Sequence, residues 1–200
     1  MIKIFRSLAL MIGMLTLSFT AGASIIQSSS GLSSPQTTIT FDEFSIPNNT
    51  VVTNQYQSLG AIFTPNLYQT PQPSGGFPNI SGGNLGNFSP VIDPFFINFS
   101  LDQTDVAFAM VTNPGTSTFT SLLNSIIAES VSFATNTTSP NWYVFNGAFD
   151  QIRVDVGGSN SSMLMDNLQL TNQVPEPATL ALFGIGLAGL GFARKKRKSA

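Results

Sequence analysis

The feature that most restricts the fold is a regular alternation of apolar and polar residues in short segments. In the segment QIRVDV, the apolar Ile152, Val154 and Val156 alternate with Arg153 and Asp155. Successive side chains of a β-strand point to opposite faces, so this pattern is typical of a strand with one buried face. Roughly nine or ten such segments, separated by turn residues, predict an all-β, jelly-roll-like β-sandwich over residues 37–170.

Two stretches of this region leave the strand pattern open. SLLNSIIAESVSF is compatible with a helical turn, but a hairpin turning at Asn124-Ser125 fits the flanking strands better. Pro65–Pro90 is rich in Gly, Pro and Asn and is predicted to be a long loop. The predicted strands are TTITF, VVTNQY, GAIFT, FFINFSL, DVAFAMVT, STFTSLL, ESVSFAT, NWYVF, DQIRVDV and MLMDNLQL.

The C-terminal region predicts a membrane anchor. Residues 178–193 carry no charge, and as a helix they would be about 24 Å long, close to the roughly 30 Å of a hydrocarbon core. A basic block follows within residues 194–200, and such blocks stay on the cytoplasmic side. A buried core helix is the alternative. The basic membrane stop consists of Arg194, Lys195, Lys196, Arg197 and Lys198.

The N-terminal region predicts a signal peptide over residues 1–23. Lys3 and Arg6 precede an apolar run, and Ala21-Gly22-Ala23 is a small-residue cleavage site, which places cleavage between Ala23 and Ser24. A retained signal anchor is the alternative. Residues 24–36 are rich in serine and predict a flexible lead-in before the sandwich.

Residues 171–177 form a linker that contains Val174, Pro175, Glu176 and Pro177. Two prolines keep this segment extended and exposed outside the membrane. The order of VPEP, a Gly/Ala/Leu-rich run and a basic end resembles the PEP-CTERM sorting signal. That resemblance implies export in Gram-negative bacteria that make exopolysaccharide, with processing by an exosortase. It also implies that the chain is first anchored in the inner membrane facing the periplasm, and then reaches the cell surface or the extracellular space.

The charge and residue content of the exported part exclude several classes of function. Between residues 24 and 174 there are nine carboxylates and one basic residue, Arg153, a net charge of −8. Such a polyanion cannot neutralise phosphates, so nucleic-acid binding is excluded. The chain has no Cys and no His, and no Lys lies between residues 24 and 174, which removes the common nucleophiles and general bases. We expect no catalytic residues; a hydrolase using two carboxylates is the remaining enzymatic alternative.

A second, looser resemblance covers residues 37–170. ITFDEF and TNQYQSLGAIFT near the start, with AFDQIRVDVGG and MLMDNLQL near the end, resemble the repeated β-sandwich domain of many PEP-CTERM proteins. That domain is similar in outline to calcium-containing carbohydrate-binding sandwiches. The resemblance implies a structural Ca²⁺ between the first and last strands, with Asp42, Glu43 and Asp166 as the ligands.

The residues themselves leave the role of Asp166 open. Alternation in LMDNLQL predicts that Asp166 shares a face with Leu164, Leu168 and Leu170, and a carboxylate facing a core needs a partner. Asp166 either binds calcium, or accepts backbone N–H bonds or pairs with Arg153, or lies on a bulge that faces water.

The leading functional hypothesis is a non-catalytic surface or extracellular-matrix component associated with exopolysaccharide. The first alternative is a lectin-like carbohydrate-binding module, and the second is the carboxylate-dependent glycan hydrolase. Aromatic side chains of the long loop would then stack on sugar rings, unless the loop is only a lid packed over the sandwich; Trp142-Tyr143 is the other candidate platform. The candidate glycan contacts are Tyr68, Phe77, Phe88, Trp142 and Tyr143.

Overall fold

The computed structural model describes residues 22–87, 94–157 and 162–172. Within these ranges the regular secondary structure consists of β-strands and one 3-10 turn at Gln57–Leu59. No helix in these ranges is long and apolar enough to cross a membrane. The predicted helix over 178–193, the sorting motif and most of the predicted signal peptide lie outside the described residues. The strands are β1 (Ser24–Ser28), β2 (Thr37–Ile39), β3 (Ala61–Phe63), β4 (Tyr68–Thr70), β5 (Asn84–Asn87), β6 (Phe95–Thr112), β7 (Gly115–Leu123), β8 (Ile126–Thr135), β9 (Trp142–Asp155) and β10 (Met163–Asn172).

All strand pairs are antiparallel. The continuous order is β4-β5-β10-β6-β9-β7-β8, with β1 paired to β9, β2 to β10 and β3 to β6. Neighbours such as β10 and β6 are far apart in the sequence. The fold therefore depends on long-range pairing, as in Greek-key sandwiches.

Bends in the long strands divide this hydrogen-bonded sheet into two facing layers. The pairing of β6 with β9 shifts register between Asn98 and Gln103, and β9 turns at Gly147, whose φ is +105°. As a result the first half of β9 pairs with β1 and its second half pairs with β7. Phe119 of β7 is paired with Val154 in the sheet, yet its ring stacks on Tyr143, at the other end of β9. The two halves of β9 thus lie in opposite layers, and the predicted all-β sandwich is confirmed.

Aromatic side chains fill the space between the layers. Phe108, Phe119, Tyr143 and Phe145 are at most 1% exposed. Phe119 stacks on Tyr143 with 4.1 Å between ring centroids, and Phe108 stacks on Phe145 at 5.7 Å. Stacked and edge-on rings add to the free energy gained from burying their apolar surface.

A second, smaller apolar cluster covers the outer face of the β6–β9–β10 layer. It contains Trp142 and alternate residues of β6, and segments before β2 and after β4 pack over it. The buried members are Ile80, Ala107, Ala109, Val111, Trp142 and Val144, with Leu32, Phe77 and Leu164 packed against them.

Several local predictions need correction. The predicted flexible lead-in contains β1, which pairs residue for residue with β9 from Ser24↔Asn146 to Ser28↔Trp142; its Ile25 is 5% exposed, so burial holds this strand in place. The predicted strand VVTNQY forms only an isolated bridge, Val51↔Tyr68. The predicted long loop Pro65–Pro90 contains β4 and β5.

Other predictions hold. The segment SLLNSIIAESVSF is a hairpin rather than a helix, with Asn124 and Ser125 at its turn. Both residues have positive φ, 52° and 66°, which matches the twist of tight β-hairpins. FFINFSL and DVAFAMVT are parts of the single strand β6, and NWYVF and DQIRVDV are parts of β9.

Candidate functional site

Asp166 is the most unusual polar residue of the core, since its side chain is only 1% exposed. Its Oδ2 accepts the backbone N–H of Ser81 at 2.8 Å, and its Oδ1 accepts the N–H of Asn167 at 2.6 Å. Burial raises the pKa of Asp166 to about 7, the two N–H donors oppose that rise, and Asp42 and Glu43 add to it. Of the three sequence-based alternatives, backbone N–H acceptance is the one observed.

Asp166 was predicted to share a face with three leucines, but it shares a face only with Leu164. Asp166 is paired with Ala109, which belongs to the outer cluster. Leu164 also packs against that cluster. Leu168 and Leu170 instead belong to the inner core. The reason is an irregularity between Asp166 and Gln169, because one extra residue in a strand reverses the faces of all residues that follow.

Arg153 does not pair with Asp166. Its Nη2 lies 2.9 Å from Oδ1 of Asp155, and its guanidinium carbon lies 5.9 Å from the centre of the Phe96 ring. Asp166 does not face water either, since it is buried. Both of these alternatives are therefore excluded.

Asp42 and Asp166 hold the same glycine-rich loop, residues 79–83. Oδ1 of Asp42 accepts the N–H of Gly83 at 2.8 Å, two residues from the N–H that Asp166 accepts. Gly82 has φ +65°, and a Cβ at this position would overlap the second carboxylate oxygen of Asp42. The loop thus needs glycine at this point, both for its backbone conformation and for space.

Glu43 has a separate task in the turn after β2. Its Oε1 accepts the backbone N–H of Thr40 at 2.6 Å and the Thr40 hydroxyl at 2.9 Å. Asp42 and Glu43 are therefore close enough to Asp166 to raise its pKa. Each of the three acids predicted as calcium ligands accepts a backbone N–H bond.

Among residues 22–87, 94–157 and 162–172, no group of three or more acidic side chains is arranged to hold a metal ion. The observed positions of Asp42, Glu43 and Asp166 do not form a coordination shell. Calcium binding stays a prediction.

Beside Asp42 lies an open cleft of about 530 Å³. Phe41 and Gln69 line this cleft, with the buried Tyr56 next to them. Tyr56 Oη and Gln69 Nε2 both donate to the carbonyl of Phe41, at 3.1 and 3.0 Å. Phe41 itself adopts φ 59°. Burial, with Glu43 and Asp42 nearby, holds the pKa of Tyr56 well above its ordinary value, so this hydroxyl stays a donor.

The rim of this cleft combines an aromatic ring with polar groups. Phe44 is 39% exposed, and its ring packs against Tyr56 with 5.4 Å between centroids. Asp42, Asn48 and Gln72 line the same cleft and are exposed. A supported ring with carboxylate and amide groups around it suits a sugar, which presents an apolar face and a ring of hydroxyls.

The aromatic residues predicted to contact glycans are not gathered at this cleft. Tyr143 lies in the inner core and Trp142 is 7% exposed beneath the covering segments, so neither is an exposed platform. Phe77 packs against the outer cluster, as the lid alternative predicts, and Tyr68 is half-buried on β4. Phe88 lies outside the described residues.

Phe44 was missed because the sequence reasoning looked for aromatic residues in the long loop. The only signal was weak: Phe44 lies in the polar segment FDEFSIPNN, together with Phe41. The signal did not separate the two rings of this segment, since Phe41 is 0% exposed and Phe44 is 39% exposed.

Comparison with known proteins gives one sequence match and several weak structural similarities. A family model described as the PEP-CTERM protein-sorting motif matches residues 173–198. No curated protein matches the chain by sequence.

Three solved structures illustrate the structural similarities. TmCBM61 in complex with β-1,4-galactotriose is 7% identical, with a TM-score of 0.33, over 64% of this chain and 100% of that one. A mutant of the family 29 carbohydrate-binding module CBM29-2 is 16% identical, with a TM-score of 0.32, over 58% and 98%. The family 11 carbohydrate-binding module of the cellulosomal cellulase Lic26A-Cel5E of Clostridium thermocellum is 9% identical, with a TM-score of 0.33, over 70% and 96%. Scores at this level do not establish a shared ligand.

The motif match begins at residue 173, and β10 ends at Asn172. The chain therefore carries the PEP-CTERM protein-sorting motif of exported, exosortase-processed proteins directly behind an antiparallel β-sandwich.

Proposed function

We propose that this protein is a non-catalytic component of the cell surface or extracellular matrix that associates with exopolysaccharide. The observation that carries the proposal is the sorting motif at residues 173–198, which starts one residue after the last strand of the sandwich. An exosortase is the processing partner that this motif implies. The sandwich is then the part of the protein that remains after the membrane segment is removed.

The residues of the sandwich support a non-catalytic role. Residues 24–174 contain no His, Cys or Lys, which are the usual general bases and nucleophiles. Two carboxylates have structural partners instead, since Asp42 and Asp166 hold the loop 79–83.

A specific observation favours a second candidate function, the binding of a glycan in the cleft beside Phe44. The ring of Phe44 is exposed and is supported from behind by Tyr56, so it offers a rigid stacking surface. The charge of −8 over residues 24–174 repels acidic polymers, so the preferred glycan is neutral or basic.

The test uses residues 24–174, which contain all ten strands, and the exopolysaccharide of the source organism. Binding is measured by affinity electrophoresis or calorimetry, once with calcium and once with a chelator. Phe44→Ala tests the cleft, and Ile26→Ala is the matched control, since Ile26 is 49% exposed on β1, outside the cleft.

Saturable binding that Phe44→Ala weakens at least tenfold, and that Ile26→Ala leaves unchanged, would support the glycan cleft. Non-saturable association that neither variant changes would leave a matrix component without a discrete site. No association under either condition would overturn the exopolysaccharide proposal. Release of new reducing ends would overturn the non-catalytic assignment.

A further inference from the structure

Both ends of the chain leave the sandwich at the same place. Ser24, the first residue of β1, pairs with Asn146 next to the bend of β9 at Gly147. Asn172, the last residue of β10, pairs with Gln103 of β6. Gln103 in turn pairs with Phe149, two residues beyond that bend. The predicted signal cleavage site and the sorting motif therefore emerge from one end of the sandwich.

The same end carries the most exposed large apolar side chains of the described residues. Ile126, Ile127 and Leu101 are 72%, 63% and 62% exposed; we refer to these three as the terminal patch. Leu101 lies in the segment of β6 between Asn98 and Gln103 where the register shifts. Ile126 and Ile127 follow the turn between β7 and β8.

One hydrogen bond and a shared cleft connect the residues next to the two parts of the terminal patch. The N–H of Asn124, in the β7–β8 turn, donates to Oδ2 of Asp150 at 2.9 Å. Ser125 and Phe99 line one cleft with Asp150, and the rings of Phe99 and Phe149 pack with 6.0 Å between centroids. The hairpin turn and the bent part of β6 thus form one continuous surface.

The sorting motif limits how far this surface can be from the membrane. Only residues 173–177 separate the end of β10 from the predicted anchor at 178–193. Five residues span at most roughly 17 Å when fully extended. Before processing, the end of the sandwich that carries the terminal patch must therefore face the bilayer at close range.

We infer that the terminal patch rests on the lipid surface while the C-terminal anchor is in place. Three exposed aliphatic side chains on one surface at the membrane-facing end suit the boundary between headgroups and acyl chains. This inference rests on the proposed membrane anchoring and adds a contact of the folded domain itself.

The charges at this end specify the kind of lipid. Asp102, Asp105 and Asp150 lie beside the terminal patch, at the bends of β6 and β9. Arg153 is the one basic side chain among the described residues, and it is paired with Asp155. An anionic surface would repel this end, so the contact is with zwitterionic lipid such as phosphatidylcholine or phosphatidylethanolamine.

The experiment uses the chain from Ser24 to Ala200, with its anchor, in phosphatidylcholine nanodiscs. The sequence has no cysteine, so Leu101→Cys, Ile127→Cys and Thr138→Cys each give one spin-labelling site. Thr138 is exposed in the β8–β9 connection, beyond the far ends of β6 and β7, and serves as the matched control. Paramagnetic resonance then measures the accessibility of each label to oxygen relative to a water-soluble nickel complex.

We expect this ratio to be several-fold higher at residues 101 and 127 than at residue 138, and to fall when anionic phosphatidylglycerol is added. Equal ratios at all three positions, in chain that co-purifies with the nanodiscs, would overturn the lipid contact alone. Chain that does not incorporate into the nanodiscs would overturn the membrane anchoring as well. Spin–spin broadening that disappears on dilution with unlabelled chain would instead assign the terminal patch to contacts between copies, and would also overturn the inference.

Discussion

The buried carboxyl group of Asp166 makes the stability of the sandwich depend on pH in a direction that can be worked out. Its pKa is raised from 3.8 to about 7 in the folded protein. The folded state therefore holds a proton that the unfolded state has already released, and stability falls as the pH rises from about 4 through 7. At about 1.4 kcal/mol per pKa unit, the whole effect is about 4 kcal/mol, of which about 3 kcal/mol falls between pH 5 and pH 8.

Replacing Asp166 with Asn removes the titration. The amide has one acceptor where the carboxylate has two, and both carboxylate oxygens are occupied by the N–H groups of Ser81 and Asn167. We expect Asp166→Asn to cost about 1–3 kcal/mol at pH 5 through the lost hydrogen bond. At pH 8 the difference in stability between the wild type and the variant should shrink or reverse. Only the wild type is then destabilised by an ionised buried group.

The assay is urea unfolding of residues 24–174 at pH 5, 6, 7 and 8, with a chelator present and ionic strength held constant. Fluorescence of Trp142, the single tryptophan, reports the transition, since this side chain is 7% exposed in the folded state. Asp102→Asn makes the same change of charge at an exposed position and should keep the wild-type slope. If Asp166→Asn also keeps that slope, the pH dependence has another origin and the reasoning fails.

Three further predictions concern calcium, the loop 79–83 and processing. If the proposed calcium site exists, calcium will raise Tm above its value in chelator. The rise will be larger at pH 8 than at pH 5.5, because protons compete with calcium for Asp166. Equal melting curves at pH 8, or a rise that the Asp166→Asn variant retains, would contradict the proposal. Gly82→Ala should lower the free energy of unfolding by about 1–3 kcal/mol, because it combines a positive φ with overlap against Asp42. Gly76→Ala is its control, since Gly76 has φ +61° and nothing within 4 Å of the added Cβ; equal losses in chemical denaturation would show that overlap contributes nothing. Glu176→Ala should leave the protein in the membrane fraction, as followed by immunoblotting of cell fractions, and normal release would contradict the role assigned to the motif.

Much of the fold was predictable because strand periodicity is a local property. Ile152, Val154 and Val156 alternate with polar residues in the sequence and are all buried, the first two in β9 and Val156 directly after it. The turn at Asn124-Ser125 was likewise predictable from local context. Strand β1 was not, because Ser24–Ser28 is polar in composition and is held by pairing with residues more than 110 positions away.

The candidate site was less predictable, for the same physical reason. Asp42 and Asp166 were recognised as residues that the two ends of the domain bring together. Their common partner, the loop 79–83, could not be recognised, since loop conformation depends on contacts that form only in the folded chain. The bulge after Asp166 reversed the faces of Leu168 and Leu170, and Trp142 became buried because distant segments cover it.

By itself, the sequence determined the sorting motif, the charge, the lack of His, Cys and Lys in residues 24–174, and the all-β class. These depend on residue identity and short-range order, which the chain keeps whether folded or not. Only the tertiary structure decided that Asp166 is buried and bound to N–H donors, that Phe44 overlooks an open cleft, and that Leu101 and Ile127 share the end from which both termini leave. Each of these depends on long-range strand pairing. The conformational entropy lost in closing long loops is offset only by burial across the whole sandwich.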